Sequence, residues 1–399
     1  MLTVEEALQQ ILARARPLSA ESVDVRQSLG RVLAEPIVSR REIPPWANSS
    51  MDGYAVRAGD TRTAPVTLRV SGRIAAGSLP SAPVAAGEAA RIFTGAPMPE
   101  GADAVVPQED VEATAERVVV KRPVEAGAYV RPRGEDVRVG DHVLDPGVVI
   151  GAPEVGLLAT LGHATVLVHR RPRVAILSTG NELADLGQEP GPGQIPNTNS
   201  YSLMAQVLEA GADPVNLGIS ADELVAIEDR LRAGSGTDIL ISSAGVSVGE
   251  LDLVREALTR RGADLHLWQV SMRPGKPITF GSMQQTLVFG LPGNPVSAMV
   301  TFELFVRPAL LTLAGRRQIW RPRIRARALE PIANPGRRRG YLRVTLTREG
   351  DDYGARLTGE QGSAILRSMV LADGLAVVPG DTVVAKGEHL EVILLRPVY

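Results

Sequence analysis

The 399-residue chain contains no cysteine. That single absence excludes disulfides, zinc–thiolate centres and a cysteine nucleophile. It also means that a soft metal handled here must draw its sulfur ligands from another molecule. Net charge is missing as well: 43 basic residues face 45 acidic ones, so no global field steers the chain toward nucleic acid or a membrane surface. Any anion has to be captured locally. There is no internal repeat and no low-complexity tract. The longest apolar region, Val296 to Leu313, carries Glu303 and Arg307 and is not expected to span a membrane. The start of the chain reads as a helix rather than a signal peptide. Thr3 and Glu6 fit a capping box, and Val4, Ala7, Leu8, Ile11 and Leu12 form one apolar stripe. The cytoplasm is the expected location.

With 44% hydrophobic and 22% charged residues the composition is that of a globular protein. At roughly 150 residues per domain the length predicts about two or three domains, enough chain to bury cores without metal or disulfide staples. Texture divides it further. Residues up to about Arg40 read as a helix, a short strand and a second helix around Leu29, Val32 and Leu33. From Ile43 to Arg138 the pattern is β, with Val66, Leu68 and Val70 alternating and Val118-Val119-Val120 as a buried run. Val148 to His163 returns to helix, with Pro153 in its first turn. The expected division is a discontinuous helical domain (1–42 and 139–170) interrupted by an inserted β-rich domain (43–138).

A new rhythm starts at Arg173. Strand-like Val174–Leu177, Pro214–Leu217, Asp238–Ser242, Leu265–Trp268 and Thr286–Phe289 alternate with helical stretches, ending in a long helix from Pro295. Alternation at this spacing predicts an α/β domain (171–320) with a doubly wound parallel sheet. After Arg321 the chain is β again, predicting a C-terminal barrel-like or sandwich domain (321–399).

Ligands of open α/β sheets sit beyond the carboxyl ends of the strands, and three loops there are unusual. Ser178-Thr179-Gly180-Asn181-Glu182 combines small residues with a carboxylate; alone, it reads equally well as an ordinary strand-to-helix turn. Ser243 to Asp252 places Gly245, Val246, Ser247 and Gly249 in a flexible run before a helix, an anion cradle in which Asp252 caps the helix or holds a divalent cation. It is neither a Walker loop nor a Rossmann fingerprint. Pro292-Gly293-Asn294-Pro295-Val296-Ser297 offers an N-cap asparagine, a first-turn proline and a helix N-terminus aimed over Gly293. Between these lies Met272-Arg273-Pro274-Gly275-Lys276, two cations on a stiff turn, although exposed cations on turns are commonplace. Upstream, Asn48 to Ala55, Phe93 to Pro97 and Arg131 to Asp136 are dense in small and charged residues; each is weak alone. Arg337-Arg338-Arg339 after Asn334-Pro335-Gly336 reads as a solvated turn.

As a set, Ser50-Met51-Asp52-Gly53-Tyr54-Ala55, Thr94-Gly95-Ala96-Pro97, Gly134-Glu135-Asp136, Ser243 to Gly249, Pro274-Gly275-Lys276-Pro277 and Leu291 to Ser297 are specific. In this order they resemble the molybdopterin molybdenumtransferase (MoeA) family, also seen as the C-terminal region of gephyrin. The resemblance runs from Ile43 through Ser368. It implies an elongated homodimer of four-domain subunits, with the active site between the α/β domain of one subunit and the inserted β domain of the other. The implied reaction converts adenylyl-molybdopterin and molybdate to molybdenum cofactor and AMP, with Mg²⁺. It further implies Asp52, Thr94 and Asp136 as catalytic residues. Ser178, Thr179, Gly180, Asp222, Gly245, Val246, Ser247, Gly249, Pro292, Gly293, Asn294, Pro295 and Ser297 fall on substrate-binding positions. Arg273, Lys276, Arg343 and Ser368 fall on molybdate-binding ones, and Glu182 and Asp252 on metal-binding ones.

The chemistry of those residues agrees with the assignment. Carboxylates suit Mg²⁺, and Arg, Lys and Ser suit an oxoanion. The missing cysteines make sense when a pterin dithiolene supplies the sulfur. Two positions depart from the family's pattern: Asn181 stands where Asp is common, and Arg273 where Lys is common. A molybdopterin adenylyltransferase remains a rival reading, weakened by the flanking β domains and the Ser50–Ala55 motif. A non-catalytic, gephyrin-like scaffold is another, weakened by the intact acids. Molybdopterin adenylyltransferase and molybdoenzyme acceptors are the expected protein partners.

Overall fold

The structure, a computed structural model, describes residues 1–243, 253–350 and 352–398. The chain forms two compact units, one of Met1–Ala34, Pro146–Val155 and Thr165–Tyr399, the other of Glu35–Asp145 and Gly156–Ala164.

The first unit opens with helix Val4–Arg14. Its capping box is present: Thr3 N–H donates to Glu6 Oε2 (2.7 Å), and Glu6 N–H donates to Thr3 Oγ1 (3.1 Å). The second helix expected near Leu29 is absent. Gly30 takes φ +76°, a left-handed turn that ends the 3₁₀ segment Val25–Gln27. Val32–Leu33 then pairs with Val168–His169 as a strand. A β-branched residue just after such a turn favours the sheet.

The α/β portion is built on a six-stranded sheet. The order is Asp213–Ser220, Arg173–Thr179, Ile239–Ser243, Thr286–Leu291, Pro277–Met283, Asp264–Gln269. The first four strands run parallel. Pro277–Met283 is antiparallel to both of its neighbours, so the sheet is mixed where the sequence predicted a parallel one. That strand escapes sequence reading because its hairpin turns at Gln284 (φ +56°) without the Asn-Gly or Asp-Gly signal. Gly281 is required within it, since a Cβ there would lie 2.1 Å from the Asp264 carbonyl oxygen.

Both sheet faces are covered, which explains the continuous apolar runs. Val174, Ile176, Ile239, Ile241, Leu287 and Phe289 pack on one face with Leu203, Val207 and the helices after Pro295. Ala175, Leu177, Leu240 and Val288 pack on the other with Ile227, Leu231, Val254 and Leu258. The helical run Pro295–Leu313 is long and apolar enough to cross a membrane, but 83% of its most apolar window is buried, so it serves as a core helix.

After it, strands Arg323–Ala328, Arg339–Glu349, Asp352–Leu357, Gly374–Val378 and His389–Leu394 close into a barrel through the pairing of Arg339–Glu349 with Gly374–Val378. Met272–Arg273 pairs in parallel with Arg339–Gly340, carrying the cation turn to the barrel's side. In the second unit a six-stranded sheet is ordered Ala104–Pro107, Gly53–Val56, Glu88–Ile92, Val66–Ile74, Arg117–Val120, Val111–Ala113.

Within the core helix, Phe302–Val306 widens to π-helical geometry and buries Glu303. Its carboxylate accepts from Arg321 Nε (2.9 Å) and Gln206 Nε2 (2.9 Å), with Arg307 Nε at 3.8 Å. Burial, helped by the like charge of Arg321 and opposed by Glu303, pushes the Arg307 guanidinium down to about 10. Removing Glu303 strands both guanidinium groups. We expect Glu303→Ala to cost about 3–5 kcal/mol; an unchanged thermal unfolding temperature would contradict this.

Candidate functional site

The strand order reverses between Arg173–Thr179 and Ile239–Ser243. In a doubly wound sheet this reversal opens a crevice at the carboxyl ends. Ser178 and Thr179, both buried, form one lip, and Ser243 the other. Ser178 Oγ lies 2.9 Å from Ser200 Oγ and donates to Asn197 Oδ1 (3.1 Å). Gly180 follows with φ +143°; a Cβ there would meet the Glu182 carboxylate at 2.4 Å. Glu182 is thus folded over the glycine and remains exposed. Asn181 and Asp222 cross-brace two loops: Asn181 N–H donates to Asp222 Oδ2 (3.4 Å) and Asp222 N–H donates to Asn181 Oδ1 (3.3 Å). The neutral amide at position 181 spares Asp222 the repulsion a second carboxylate would bring.

On the other side Pro292 is buried while Gly293 and Asn294 are exposed. Asn294 occupies the N-cap position and Pro295 the first turn, but the Asn294 side chain makes no capping bond, contrary to expectation. Its amide is therefore not consumed by the helix. Val296 N–H donates to Ser363 O (3.1 Å), and Ser297 is buried. Gly245, Val246, Ser247, Gly249 and Asp252 lie outside the described residues.

Of the four residues expected to bind molybdate, Arg343 contacts Ser368 and feels the charge of Arg273; Arg343 is fully buried. Its Nε donates to Ser368 Oγ (3.0 Å) and its Nη2 to Gly362 O (3.0 Å). Nη1 is buried with no hydrogen-bond partner among the described residues. Burial, and then the like charge of nearby Arg273, pushes Arg343 down to about 10. Among the described residues no carboxylate pairs with Arg273, Lys276 or Arg343, so this positive charge is uncompensated. Gly275 (φ +99°) lets the cation turn pass the core helix, where a Cβ would sit 2.5 Å from Thr301 Cγ2. Lys276 accepts the Val270 N–H through its backbone carbonyl (2.8 Å). Its side chain makes no contact with Arg343 or Ser368 among the hydrogen bonds of the described residues.

In the second unit Asp52 and Thr94 meet. Thr94 N–H (2.8 Å) and Thr94 Oγ1 (2.7 Å) both donate to Asp52 Oδ1. The backbone donor first, then the hydroxyl, then the charge of Arg91 hold this exposed carboxyl below the usual range, against a small desolvation penalty. Gly53 beside it is obligatory, since a Cβ would lie 2.0 Å from Val106 O. Asp136 is exposed, one residue beyond a bend that uses Gly134 at φ +68° and Glu135, and its carboxylate has no partner among the described residues.

Sequence reading missed Asn197, Asn199 and Ser200, the start of helix Thr198–Glu209. Asn199 Nδ2 donates to Ser243 Oγ and to Gly293 O, each at 2.7 Å, joining two of the loops. The repeated asparagine before a helical pattern was the available signal. The described residues contain no cluster of three metal-ligating side chains. A cavity of about 900 Å³ lies elsewhere in the first unit, lined by residues such as Leu8, Leu12, Trp320 and Tyr341, and none of the expected site residues borders it.

Matches to known proteins cover the chain nearly end to end. Residues 2–162 match the MoeA N-terminal region (domain I and II), 175–312 a probable molybdopterin binding domain, and 325–395 the MoeA C-terminal region (domain IV). A curated molybdopterin molybdenumtransferase of Nostoc sp. is 39% identical over 94% of this chain and 88% of its own. Molybdopterin molybdenumtransferase 1 of Mycobacterium tuberculosis is 35% identical over 99% of both chains. The crystal structure of a molybdopterin biosynthesis MoeA protein from Pyrococcus horikoshii OT3 superposes with a TM-score of 0.85 at 30% identity, covering 99% of this chain and 100% of that one. The fold and site thus define a multi-domain protein with a molybdopterin-binding α/β domain. The chain belongs to the molybdopterin molybdenumtransferase (MoeA) family.

Replacing Thr94 with Val removes the hydroxyl donor and keeps the backbone one. The Asp52 pKa should rise toward the ordinary carboxylate range, read by carboxyl ¹³C titration. The folded-state pKa is depressed, so the stabilisation from this pair is present above the unfolded value and lost as pH falls through the folded one. Thr94→Val should therefore flatten the stability loss in that acid range; an unmoved Asp52 titration would rule the pairing out.

Proposed function

We propose that this protein inserts molybdate into adenylyl-molybdopterin, releasing AMP and molybdenum cofactor. The observation that carries the reading is the buried Arg343: a guanidinium beside Ser368 and Arg273 that has, among the described residues, one nitrogen unpartnered and no carboxylate to neutralise it. Buried cations require a counter-charge, and a tetrahedral oxoanion supplies both charge and acceptor oxygens. Family membership supports the same substrate, since the match to relatives named molybdopterin molybdenumtransferase covers 88% and 99% of their length.

In this reading Arg343 and Ser368 hold molybdate, with Arg273 and Lys276 adding positive charge. The nucleotide-tagged pterin occupies the crevice bounded by Ser178–Gly180, Ser243 and Pro292–Pro295, with Asp222 bracing its rim. Glu182 offers exposed hard oxygens of the kind Mg²⁺ takes, and Asp252 is the second carboxylate we assign to it. A bound Mg²⁺ would offset charge on the phosphate oxygens during cleavage of the phosphoanhydride. One or two protein carboxylates plus substrate phosphates are the usual Mg²⁺ set. Asp52 is held ionised by Thr94, which makes it a weak base. Its role is to accept a hydrogen bond and orient the attacking oxygen, with Asp136 as a second exposed acceptor. The proposal keeps the enzyme as a cytoplasmic homodimer, checked in solution by light scattering.

The direct test is AMP release from adenylyl-molybdopterin, which should depend on added molybdate. AMP release that ignores molybdate would overturn the reading. Arg343→Lys keeps the charge but loses the planar fork. Losing one charge-assisted hydrogen bond, worth about 1.5–3 kcal/mol, should weaken molybdate roughly ten- to a hundredfold, seen as a raised molybdate KM.

A further inference from the structure

At the Ser243 lip of the switch-point crevice sits Asn199, in the first turn of helix Thr198–Glu209 and only 9% exposed. Its Nδ2 spends both protons, on Ser243 Oγ and Gly293 O. A backbone carbonyl can only accept, so Gly293 fixes which branch of the amide is nitrogen. The other branch, Oδ1, is buried and has no hydrogen-bond partner among the described residues. Buried acceptors left alone are few in folded proteins and each needs a reason. Turning the amide to relieve Oδ1 would break both Nδ2 bonds, and the residues on either side are themselves tied down. Ser178 holds Asn197 and Ser200, and Asn197 accepts the Ser200 N–H (3.3 Å).

We propose that Asn199 contacts the substrate directly, its Oδ1 accepting a hydrogen bond from an exocyclic amine of the heterocycle bound in this crevice. The inference rests on the functional reading above and adds a recognition residue to it. Both halves of an adenylylated pterin carry a suitable donor: the 2-amino group of the pterin and the 6-amino group of the adenine. A fixed, unpaired acceptor discriminates strongly against a ligand that lacks the donor, because the site is then left unsatisfied. The same amide ties Ser243 to Gly293, so recognition and loop register share one side chain.

The test compares ligand pairs on the full-length protein by calorimetry: AMP against purine riboside 5′-monophosphate, and 6-hydroxymethylpterin against 6-hydroxymethyllumazine, which lacks the amine. The wild-type protein should prefer the amine-bearing member of one pair by roughly tenfold or more, and that pair identifies which half of the substrate lies against Asn199. Asn199→Ala should abolish the preference, binding both members equally. A merely structural asparagine would weaken both members alike and leave their ratio intact; that result, or a wild type without preference in either pair, overturns the proposal. If Asn199→Ala does not fold, Asn199→Ser, too short to reach the ligand, is read in the same way. A wild type that binds neither AMP nor pterin would overturn the functional reading and this inference with it, whereas binding with an unaltered ratio overturns this inference alone.

Discussion

A strand buried on both faces leaves a ligand nowhere to go but its ends. Val174 through Leu177 alternates between two apolar layers, so every side chain along the strand is committed to packing. Polar chemistry is pushed to the last residues, Ser178 and Thr179, and to Ser243 on the neighbouring strand. The reversal of strand order separates those ends and opens the space between them. Everything assigned to the pterin side of the site follows from that constraint: small residues for close approach, asparagines and serines stitched to one another, and glycines where a side chain would collide.

The oxoanion side obeys a different economy. Arg343 sits wholly inside the protein with only neutral partners, Ser368, Gly362 and the side chain of Gln361 on its backbone. Its environment disfavours the charged form enough to lower its pKa, yet leaves it cationic at neutral pH. A protein that merely needed a stable core would have placed an apolar residue here. Glu303 shows the contrast within the same unit, since its buried charge is met by arginine and glutamine. One buried ion is neutralised by the chain itself; the other has no carboxylate partner among the described residues.

Much of this was legible in the sequence, and the losses have identifiable causes. The capping box, the parallel core strands and the long helix after Pro295 are strong local patterns, and the structure has them. The helix expected near Leu29 failed at Gly30, whose backbone turn outweighs the apolar spacing around it. The antiparallel strand Pro277–Met283 went unseen because Gln284 takes a backbone conformation that glutamine seldom adopts. Among the residues expected at the site, Asp52 contacts Thr94 and Arg343 contacts Ser368, although 42 and 25 residues separate the members of these pairs. Asn199 was missed because a pair of asparagines at a helix start reads as capping, and nothing in it announces that one amide spans two distant loops.

The barrel at the C-terminal end has one more implication. Because Arg339–Glu349 pairs with Gly374–Val378 to complete the circuit, most strand edges are consumed within the ring. The exception is the stretch 323–326, which pairs with the His389–Leu394 strand on one side, while only Arg327 and Ala328 reach the Asp352–Leu357 strand on the other. Growth of the sheet by a neighbouring molecule is confined to that short stretch, and association elsewhere on the barrel has to be written in side chains on its outer surface.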